Sequence, residues 1–335
     1  LVVVTPEKFQ RVIQPWVDWK KKCGHTVTVK AVKDGTDANE IKRILQGLYD
    51  NTSTRFGYVV LIGDAGYTYD FTKATPMPTF KGSYEGAAAD RVYVRLAGND
   101  NYPDAFISRI SGNNDTEIKN QIDKIIKYES APPKGNWFVK GICIASNQGS
   151  PSDKERAEWL QNGGGKGQKV PVVSGGLTRY GYTGFTDVYD PTGSASQVAR
   201  AVNAGVSIIC YIGHGSSTSW VSSLLPVIWS VACVNGKFVH TNECFAEAWL
   251  RKANGGAVAM ECASTNESWV PPCDKQAATV NAMINKKYFT FGALEAEGCV
   301  MALKTWGDAN RTEGNKLAEQ CILFGDCTML VRSKV

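Results

Sequence analysis

The sequence has no hydrophobic run long enough to cross a membrane. Among its 335 residues, no apolar stretch approaches the roughly 18 to 20 residues that a transmembrane helix needs. It therefore predicts a protein without a membrane span. The chain opens directly on a strand-like run, Leu1–Val4, so we expect that a signal peptide or pro-segment has been left out or removed.

The sequence has only three histidines, and no two cysteines are separated by two residues. Because His25, His214 and His240 are far apart along the chain, a structural zinc site has weak support. The ten cysteines are too few for a disulfide-dense scaffold, yet numerous for a protein of a reducing cytosol. They do not reveal a disulfide pairing.

The sequence also lacks a concentrated charge of one sign. It has 37 Lys and Arg against 32 Asp and Glu, a net charge of +5, and the basic residues are scattered. A nucleic-acid partner is therefore not expected. With 43% hydrophobic residues the chain can bury a large core, which predicts one large globular domain or two fused ones.

Short β-branched runs alternate with stretches of helical period, a pattern typical of βαβ units and a mainly parallel sheet. The sequence therefore predicts an α/β fold. The predicted strands are Leu1–Val4, Thr26–Val32, Tyr58–Ile62, Phe106–Ile110, Val139–Ala145, Val206–Ile212, Val227–Ala232 and Ala257–Ala263. The predicted sheet-covering helices are Pro6–Lys22, Asp37–Tyr49 and Thr116–Glu129, the last capped by Asp115 or Thr116.

A Pro-Pro segment at residues 131–135 interrupts the helical pattern between two well-patterned halves. It is the expected boundary between an N-terminal α/β subdomain, residues 1–130, and a C-terminal α/β subdomain, residues 131–335. We expect the two α/β subdomains to be fused.

Reactive side chains follow two consecutive strands of the second half. The first ends in Gly213-His214-Gly215, where the glycines permit a sharp turn and leave the imidazole unobstructed. The second delivers Cys233. If these strands are parallel neighbours, both side chains emerge at the carboxyl edge of the sheet, where ligands collect. The imidazole can then draw off the thiol proton, so the pair is a candidate base and nucleophile.

Both residues also have ordinary structural interpretations. A cysteine after an apolar strand is more often a small buried hydrophobe, and a lone histidine is more often a satisfied polar residue. His240 lies close after Cys233 and is a weaker candidate for the base, because no glycines flank it.

Eight motifs extend in one order over nearly the whole chain. They are Trp16–Lys20, Tyr58–Asp64, Gly98–Tyr102, Tyr211–Trp220, Val231–Gly236, Cys244–Ala248, Ala263–Pro272 and Phe324–Asp326. In this order they resemble the catalytic domain of the gingipains, most of all the Arg-specific ones. The resemblance implies a caspase-like α/β scaffold and a secreted cysteine endopeptidase that acts through a thioester, cleaving after Arg or Lys.

By this resemblance Cys233 takes the place of the nucleophile and His214 that of the base. The backbone N–H groups of Gly215 and Cys233 match the oxyanion hole, which stabilises charge on the scissile carbonyl oxygen. Gln148 falls where the family carries an acid that orients the histidine. An amide oxygen can still accept the imidazole N–H, although it stabilises an imidazolium less than a carboxylate does. We therefore expect activity, at a level that this exchange can reduce.

The resemblance also implies a primary specificity pocket. Trp269 matches the tryptophan that walls it, where an indole packs along a long basic side chain; an ordinary core tryptophan is the alternative. Glu158 is the preferred match for the acid that binds the substrate's charge, and Asp153 is the second choice; either can instead be a charge at a helix end. Cys273 beside the pocket floor is smaller than the family's residue, so Arg versus Lys stays open.

The thiol chemistry needs no metal or cofactor. Gingipains also bind structural calcium, and Asp100 and Asp104 of the Gly98–Asp104 loop are candidate ligands, although no calcium-loop spacing is present. The link Gly215–Ala232 is shorter than in the family, which predicts a more open cleft on that side. The expected partners are protein or peptide substrates and, in a zymogen, a pro-segment.

Other functions remain open from the sequence. A homologue that has lost efficient catalysis would act as a binding or scaffold protein, for which the departures at Gln148 and Cys273 argue. A caspase-like or legumain-like peptidase would share the nucleophile and base but have a different pocket. An α/β hydrolase has little support, because the Gly-x-Ser-x-Gly elbow is missing.

Overall fold

The computed structural model describes residues 1–66, 75–215, 226–240 and 243–331. Within these ranges the strands are β1 Val2–Pro6, β2 Thr28–Val32, β3 Tyr58–Ile62, β4 Phe106–Ile110, β5 Lys140–Ala145, β6 Gly184–Tyr189, β7 Ile208–Ile212, β8 Val227–Val231, β9 Ala259–Ala263 and β10 Cys321–Gly325. The α-helices are α1 Gln10–Lys22, α2 Ala38–Asp50, α3 Asp115–Ser130, α4 Asp153–Asn162, α5 Gly176–Tyr180, α6 Ala195–Ala204, α7 Phe245–Arg251, α8 Val270–Ile284, α9 Phe291–Trp306 and α10 Glu313–Gln320. Short 3-10 helices cover Glu7–Phe9, Asp90–Val94, Trp137–Val139 and Phe238–His240. None of the helices in the described ranges is both long and apolar enough to span a membrane.

The strands of the described residues form one continuous sheet in the order β2-β1-β3-β4-β10-β9-β8-β7-β5-β6. Every neighbouring pair is parallel except β9 and β10, which are antiparallel. The predicted α/β fold with a mainly parallel sheet is confirmed, and the eight predicted strand segments correspond to β1–β5 and β7–β9.

The antiparallel pair divides the sheet into two sets of strands that run in opposite directions. One set is β1–β4 with β10, and the other is β5–β9. Because β10 comes from residues 321–325, the last strand completes the set formed by the first 130 residues. The subdomain boundary at residues 131–135 stays a prediction, and the sheet is continuous across both sets.

Two strands and one helix cap differ from the sequence-based expectations. Sequence reasoning missed β6 and β10. β6 is a mostly exposed edge strand with little apolar pattern, and β10 follows α10 directly, without the Gly or Pro that usually marks an element boundary.

The residue that caps α3 is Asn114 and not Asp115 or Thr116, so the expected cap was wrong. Its backbone is extended and its side chain accepts the N–H of Glu117 at 3.0 Å.

In the second set, β5, β7, β8 and β9 are buried on both faces by alternating side chains. On β7, Ile208, Cys210 and Ile212 pack in one cluster with α4 and α8, and Ile209 packs in another with α6 and α7. The two faces therefore present separate packing environments at the same carboxyl edge. Two distinct cavities lie at this edge, one on each face of the sheet.

Candidate active site

His214 and Cys233 emerge together at the carboxyl edge of the sheet. β7 and β8 pair in parallel with Ile212 opposite Val231, and each reactive residue comes two positions later. The condition set by the sequence, that the two strands be parallel neighbours, is confirmed. Both residues line one cavity of about 140 Å³.

The backbone of Gly215 lies directly against that of Cys233. A Cβ atom at position 215 would stand 1.9 Å from the Cys233 carbonyl oxygen and 2.9 Å from its nitrogen, so only glycine fits. The two backbone segments that the resemblance assigns to the oxyanion hole are therefore adjacent.

Gln148 contacts the histidine. β5 pairs in parallel with β7, with Ala145 opposite Ile212, and Gln148 follows three residues later. Its Oε1 lies 3.0 Å from Nε2 of His214. An amide oxygen only accepts, so Nε2 carries the hydrogen and the neutral ring keeps Nδ1 as its basic nitrogen. Tyr211 also donates its O–H to the backbone carbonyl of His214 at 2.5 Å, and this bond holds the turn that follows β7.

The thiol of Cys233 is held by the backbone of Glu267. The N–H of Glu267 donates to Sγ at 3.4 Å, and Sγ lies 3.8 Å from the Glu267 carbonyl oxygen. The next residue, Val234, has a left-handed backbone with φ 54°, and its N–H donates to the carbonyl oxygen of Thr265 at 2.9 Å. Sequence reasoning missed Glu267, because a backbone contact leaves no signal in residue type.

Asp153 is a buried acid in the same cavity. Its carboxylate accepts hydrogen bonds from Ser146 Oγ at 2.5 Å and from Trp269 Nε1 at 3.0 Å. Burial raises the pKa of Asp153 above its ordinary value, and these two hydrogen bonds oppose the shift. Within the described residues, no basic side chain forms an ion pair with it. The cavity therefore holds an acid that can accept a cation.

Ser146 connects the buried acid to the partner of the histidine. Besides donating to Asp153, its Oγ accepts the N–H of Gln148 at 3.2 Å. Sequence reasoning missed Ser146, and its position directly after β5 was the only available signal.

Trp269 stands at the mouth of the cavity rather than in the core. It is 38% exposed, and its ring meets that of His214 edge to face with centroids 5.3 Å apart. A Cβ at Gly149 would lie 2.6 Å from the indole nitrogen, so glycine at 149 permits this close approach. The placement fits a pocket wall and not a core tryptophan.

Glu158 does not share the cavity. It lies five residues after Asp153 on α4, which turns its side chain about 140° around the helix. Its side chain is 45% exposed and lies 3.8 Å from Nζ of Lys154. The structure thus brings the second choice, Asp153, into the cavity, and leaves the preferred Glu158 at the surface.

Cys273 is buried against the cavity, and its thiol donates to the carbonyl of Trp269 at 3.3 Å. Burial raises the pKa of Cys273 to about 12, so the thiol is neutral at neutral pH. The Cys273 thiol therefore adds no charge to the pocket.

The ten cysteines form no disulfide bond. Cys23 is exposed, Cys233 is half-buried and the others are buried.

Two expectations concern parts of the chain outside the described residues. The side chain of His240 is among these parts, so its suggested role as a rival base stays a prediction. The same holds for residues 216–225 of the Gly215–Ala232 link and for the expected opening of the cleft there.

The loop proposed for calcium uses its carboxylates internally. Asp104 accepts the N–H groups of Leu96 and Ala97 at 2.7 and 2.8 Å, and Asp100 accepts that of Tyr102 at 2.9 Å. In the part of the chain that the structure describes, no group of three or more His, Cys, Asp or Glu residues is arranged to hold a metal ion. Calcium binding by this loop stays a prediction from the resemblance.

Comparison with known proteins decides which family has this arrangement. A model of peptidase family C25 matches residues 1–332. The chain belongs to this family. Gingipain R2 of Porphyromonas gingivalis is 32% identical over the whole chain, which covers 46% of that relative. Lys-gingipain W83 of the same species is 27% identical over 80% of the chain, which covers 16% of it. This family C25 chain thus spans about half the length of the first relative and less of the second.

Solved structures agree with the fold of a family C25 protein. The Arg specific cysteine proteinase gingipain R (RgpB) matches with a TM-score of 0.83 at 30% identity, over 99% of this chain and 78% of that one. A complex of the RgpB pro- and mature domains matches with the same TM-score and identity, over 99% of this chain and 79% of that one. The resemblance to gingipains and the scaffold it implied are confirmed.

Proposed function

We propose that this family C25 chain is a cysteine endopeptidase that hydrolyses peptide bonds after basic residues. The observation that carries the proposal is the single cavity shared by Cys233, His214 and the buried carboxylate of Asp153. The names of its relatives, which include an Arg specific proteinase and a Lys-gingipain, support both the thiol chemistry and the basic specificity.

In the first half of the reaction, His214 takes the thiol proton and Sγ of Cys233 attacks the scissile carbonyl carbon. The N–H groups of Gly215 and Cys233 stabilise the oxyanion that forms. His214 then gives the proton to the leaving nitrogen, the C–N bond breaks and a thioester remains. The contact between Gln148 and His214 keeps the ring oriented during both transfers.

In the second half, water attacks the thioester while His214 takes one of its protons. The C–S bond breaks, the carboxylic product leaves, and the proton returns to Sγ of Cys233. The same cysteine and histidine therefore act in both halves, as in other thiol peptidases.

Asp153 supplies the specificity for a basic side chain. Its two oxygens offer about four acceptor positions, and hydrogen bonds from Ser146 and Trp269 use two of them. The remaining positions accept a guanidinium or ammonium group while Trp269 covers the aliphatic stem. A buried carboxylate that lacks an ionic partner gains most from such a cation. Both Arg and Lys satisfy this chemistry.

Secretion and a pro-segment partner are further parts of the proposal. The relative whose pro- and mature domains form a complex supports the second. Expression of the complete gene in its native organism, with mass analysis of the extracellular protein, tests both at once.

Fluorogenic peptides with Arg, Lys, Asp, Asn or Ala before the scissile bond test the reaction and its specificity. The chain should cleave the Arg or Lys peptides, and Cys233→Ala should abolish cleavage. Asp153→Asn should lower kcat/KM for basic peptides roughly 30-fold or more, because it removes a buried charge partner. Glu158→Gln is the matched control on the same helix and should leave kcat/KM unchanged.

Three results would contradict the proposal. Absence of thiol-dependent cleavage of all five peptides would favour a binding or scaffold role. Preference for Asp or Asn would assign a caspase-like or legumain-like pocket. A larger loss in Glu158→Gln than in Asp153→Asn would place the specificity acid at the surface of α4.

A further inference from the structure

A second cavity, of about 580 Å³, opens on the other side of His214. It lies between the carboxyl ends of β5–β7 and the helices α6 and α7. Its floor is apolar, formed by Ile144, Val188, Val198, Val202 and Trp249. Gln148 and His214 lie at its edge, so this apolar cavity is continuous with the catalytic residues.

The two cavities occupy opposite faces of the same sheet edge. Ile212 and Val231 pack on the face of α4 and α8 and line the Asp153 cavity. Ile144 and Tyr211 pack on the face of α6 and α7 and line the apolar cavity. His214 lines both cavities and therefore stands between them.

The chemistry of the peptidase reaction gives the two sides different roles. The residue before the scissile bond places its basic side chain at Asp153. His214 must protonate the leaving nitrogen, so the residues that follow the bond pass the imidazole. Substrate leaving the Asp153 cavity past His214 reaches the edge of the apolar cavity.

We propose that the apolar cavity binds a large apolar side chain of the substrate, located one or two residues after the scissile bond. This inference rests on the proposed peptidase function and adds a second specificity site to it. Among the described residues of the lining, His214 at the edge is the only basic residue and Asp190 is the only acid. An acidic side chain would meet Asp190, and a glycine would leave the apolar floor in contact with water. Leu, Met and Phe are therefore preferred over Gly and Asp.

Internally quenched peptides that share Arg before the bond test the preference. Leu, Phe, Gly or Asp is placed at the first or second position after the bond, and kcat/KM is measured for each. We expect one of the two positions to favour Leu and Phe over Gly by roughly 10-fold to 200-fold, the range that an apolar pocket supplies. Equal kcat/KM values at both positions would overturn the proposal.

Variants of α6 assign the preference to this cavity. Ala199→Phe fills it from the helix, because Ala199 lines the cavity. It should lower kcat/KM about 10-fold for the Leu and Phe peptides and leave the Gly peptides unchanged. Arg200→Phe, on the exposed side of α6, is the control and should retain the wild-type preference. An equal effect of Ala199→Phe on all peptides would contradict the assignment.

The outcomes separate this inference from the proposed function. No thiol-dependent cleavage would contradict both, whereas cleavage after Arg without discrimination on the leaving side would contradict only the apolar site.

Discussion

The imidazole of His214 contacts the amide of Gln148 rather than a carboxylate. At 3.0 Å, Oε1 of Gln148 accepts from Nε2 and orients the ring as a carboxylate would. It brings no negative charge, so it would stabilise the imidazolium of the proposed reaction less strongly than a carboxylate. Orientation and charge stabilisation can therefore be separated at this position.

Substitution of Gln148 tests that separation. Gln148→Glu should hold or raise kcat for an Arg peptide, because it adds a charge while keeping an acceptor near Nε2. Gln148→Ala should lower kcat, because it removes the acceptor. Steady-state kinetics across pH, with Cys233→Ala as the inactive control, measures both. A lower kcat in Gln148→Glu than in the wild type would show that the amide has another role.

At the scale of elements, the segment between β9 and α8 organises the site. It holds the thiol of Cys233 through the backbone of Glu267 and carries Trp269. The side chain of Glu267 is directed away from solvent. Cys321 Sγ lies 3.6 Å from its Oε1, and its Oε2 has no hydrogen-bond partner among the described residues. Burial, together with the nearby charge of Glu261, raises the pKa of Glu267 to about 8.

This shift predicts a pH-dependent stability. The ordinary pKa of the carboxyl, 4.5, applies in the unfolded chain, and about 8 applies in the folded one. The folded state therefore binds more protons between these values, and the free energy of unfolding falls as pH rises through that window. Above it, the folded protein must hold a buried carboxylate.

Glu267→Gln should remove this pH-dependent loss of stability, because the glutamine side chain does not titrate. At about pH 9 the variant should exceed the wild type in free energy of unfolding by a few kcal/mol, and near pH 4 to 5 the difference should vanish. Urea denaturation at both pH values measures it, with the exposed Glu158→Gln as a control that shows no difference at either. A constant difference at both pH values would contradict a titrating Glu267.

At the scale of the whole molecule, the last strand, β10, joins the part of the sheet that the first four strands form. β10 inserts beside β4, with Phe324 opposite Arg109. Just after β10, Asp326 accepts from Trp16 Nε1 at 2.8 Å and pairs with Lys20 at 2.8 Å. Lys20 and Asp326 are both buried, so their charges need ionic partners, and Lys20 has a second one in Glu129 at 2.7 Å.

The first 130 residues should therefore not fold alone. In that fragment β4 loses its neighbour β10, which leaves an exposed strand edge, and the buried Lys20 keeps only Glu129 of its two carboxylate partners. Amide NMR spectra and thermal unfolding of residues 1–130 measure this, and addition of residues 131–335 is the control that should restore the folded spectrum. A fragment with dispersed signals and cooperative unfolding would show that the N-terminal half is an independent domain.

The sequence by itself determined the α/β class, eight of the strands and the positions of Cys233, His214 and Gln148 at strand ends. These features depend on local patterns, because alternating apolar runs specify strands, and glycines specify the turns that follow them. The tertiary structure alone decided that Asp153 and not Glu158 enters the cavity, since the start of α4 sets the direction of each side chain. It also decided the contacts of Ser146 and Glu267, the neighbours of β10 and the apolar cavity beside His214. Each of these depends on packing between elements distant in the chain, which no local pattern encodes.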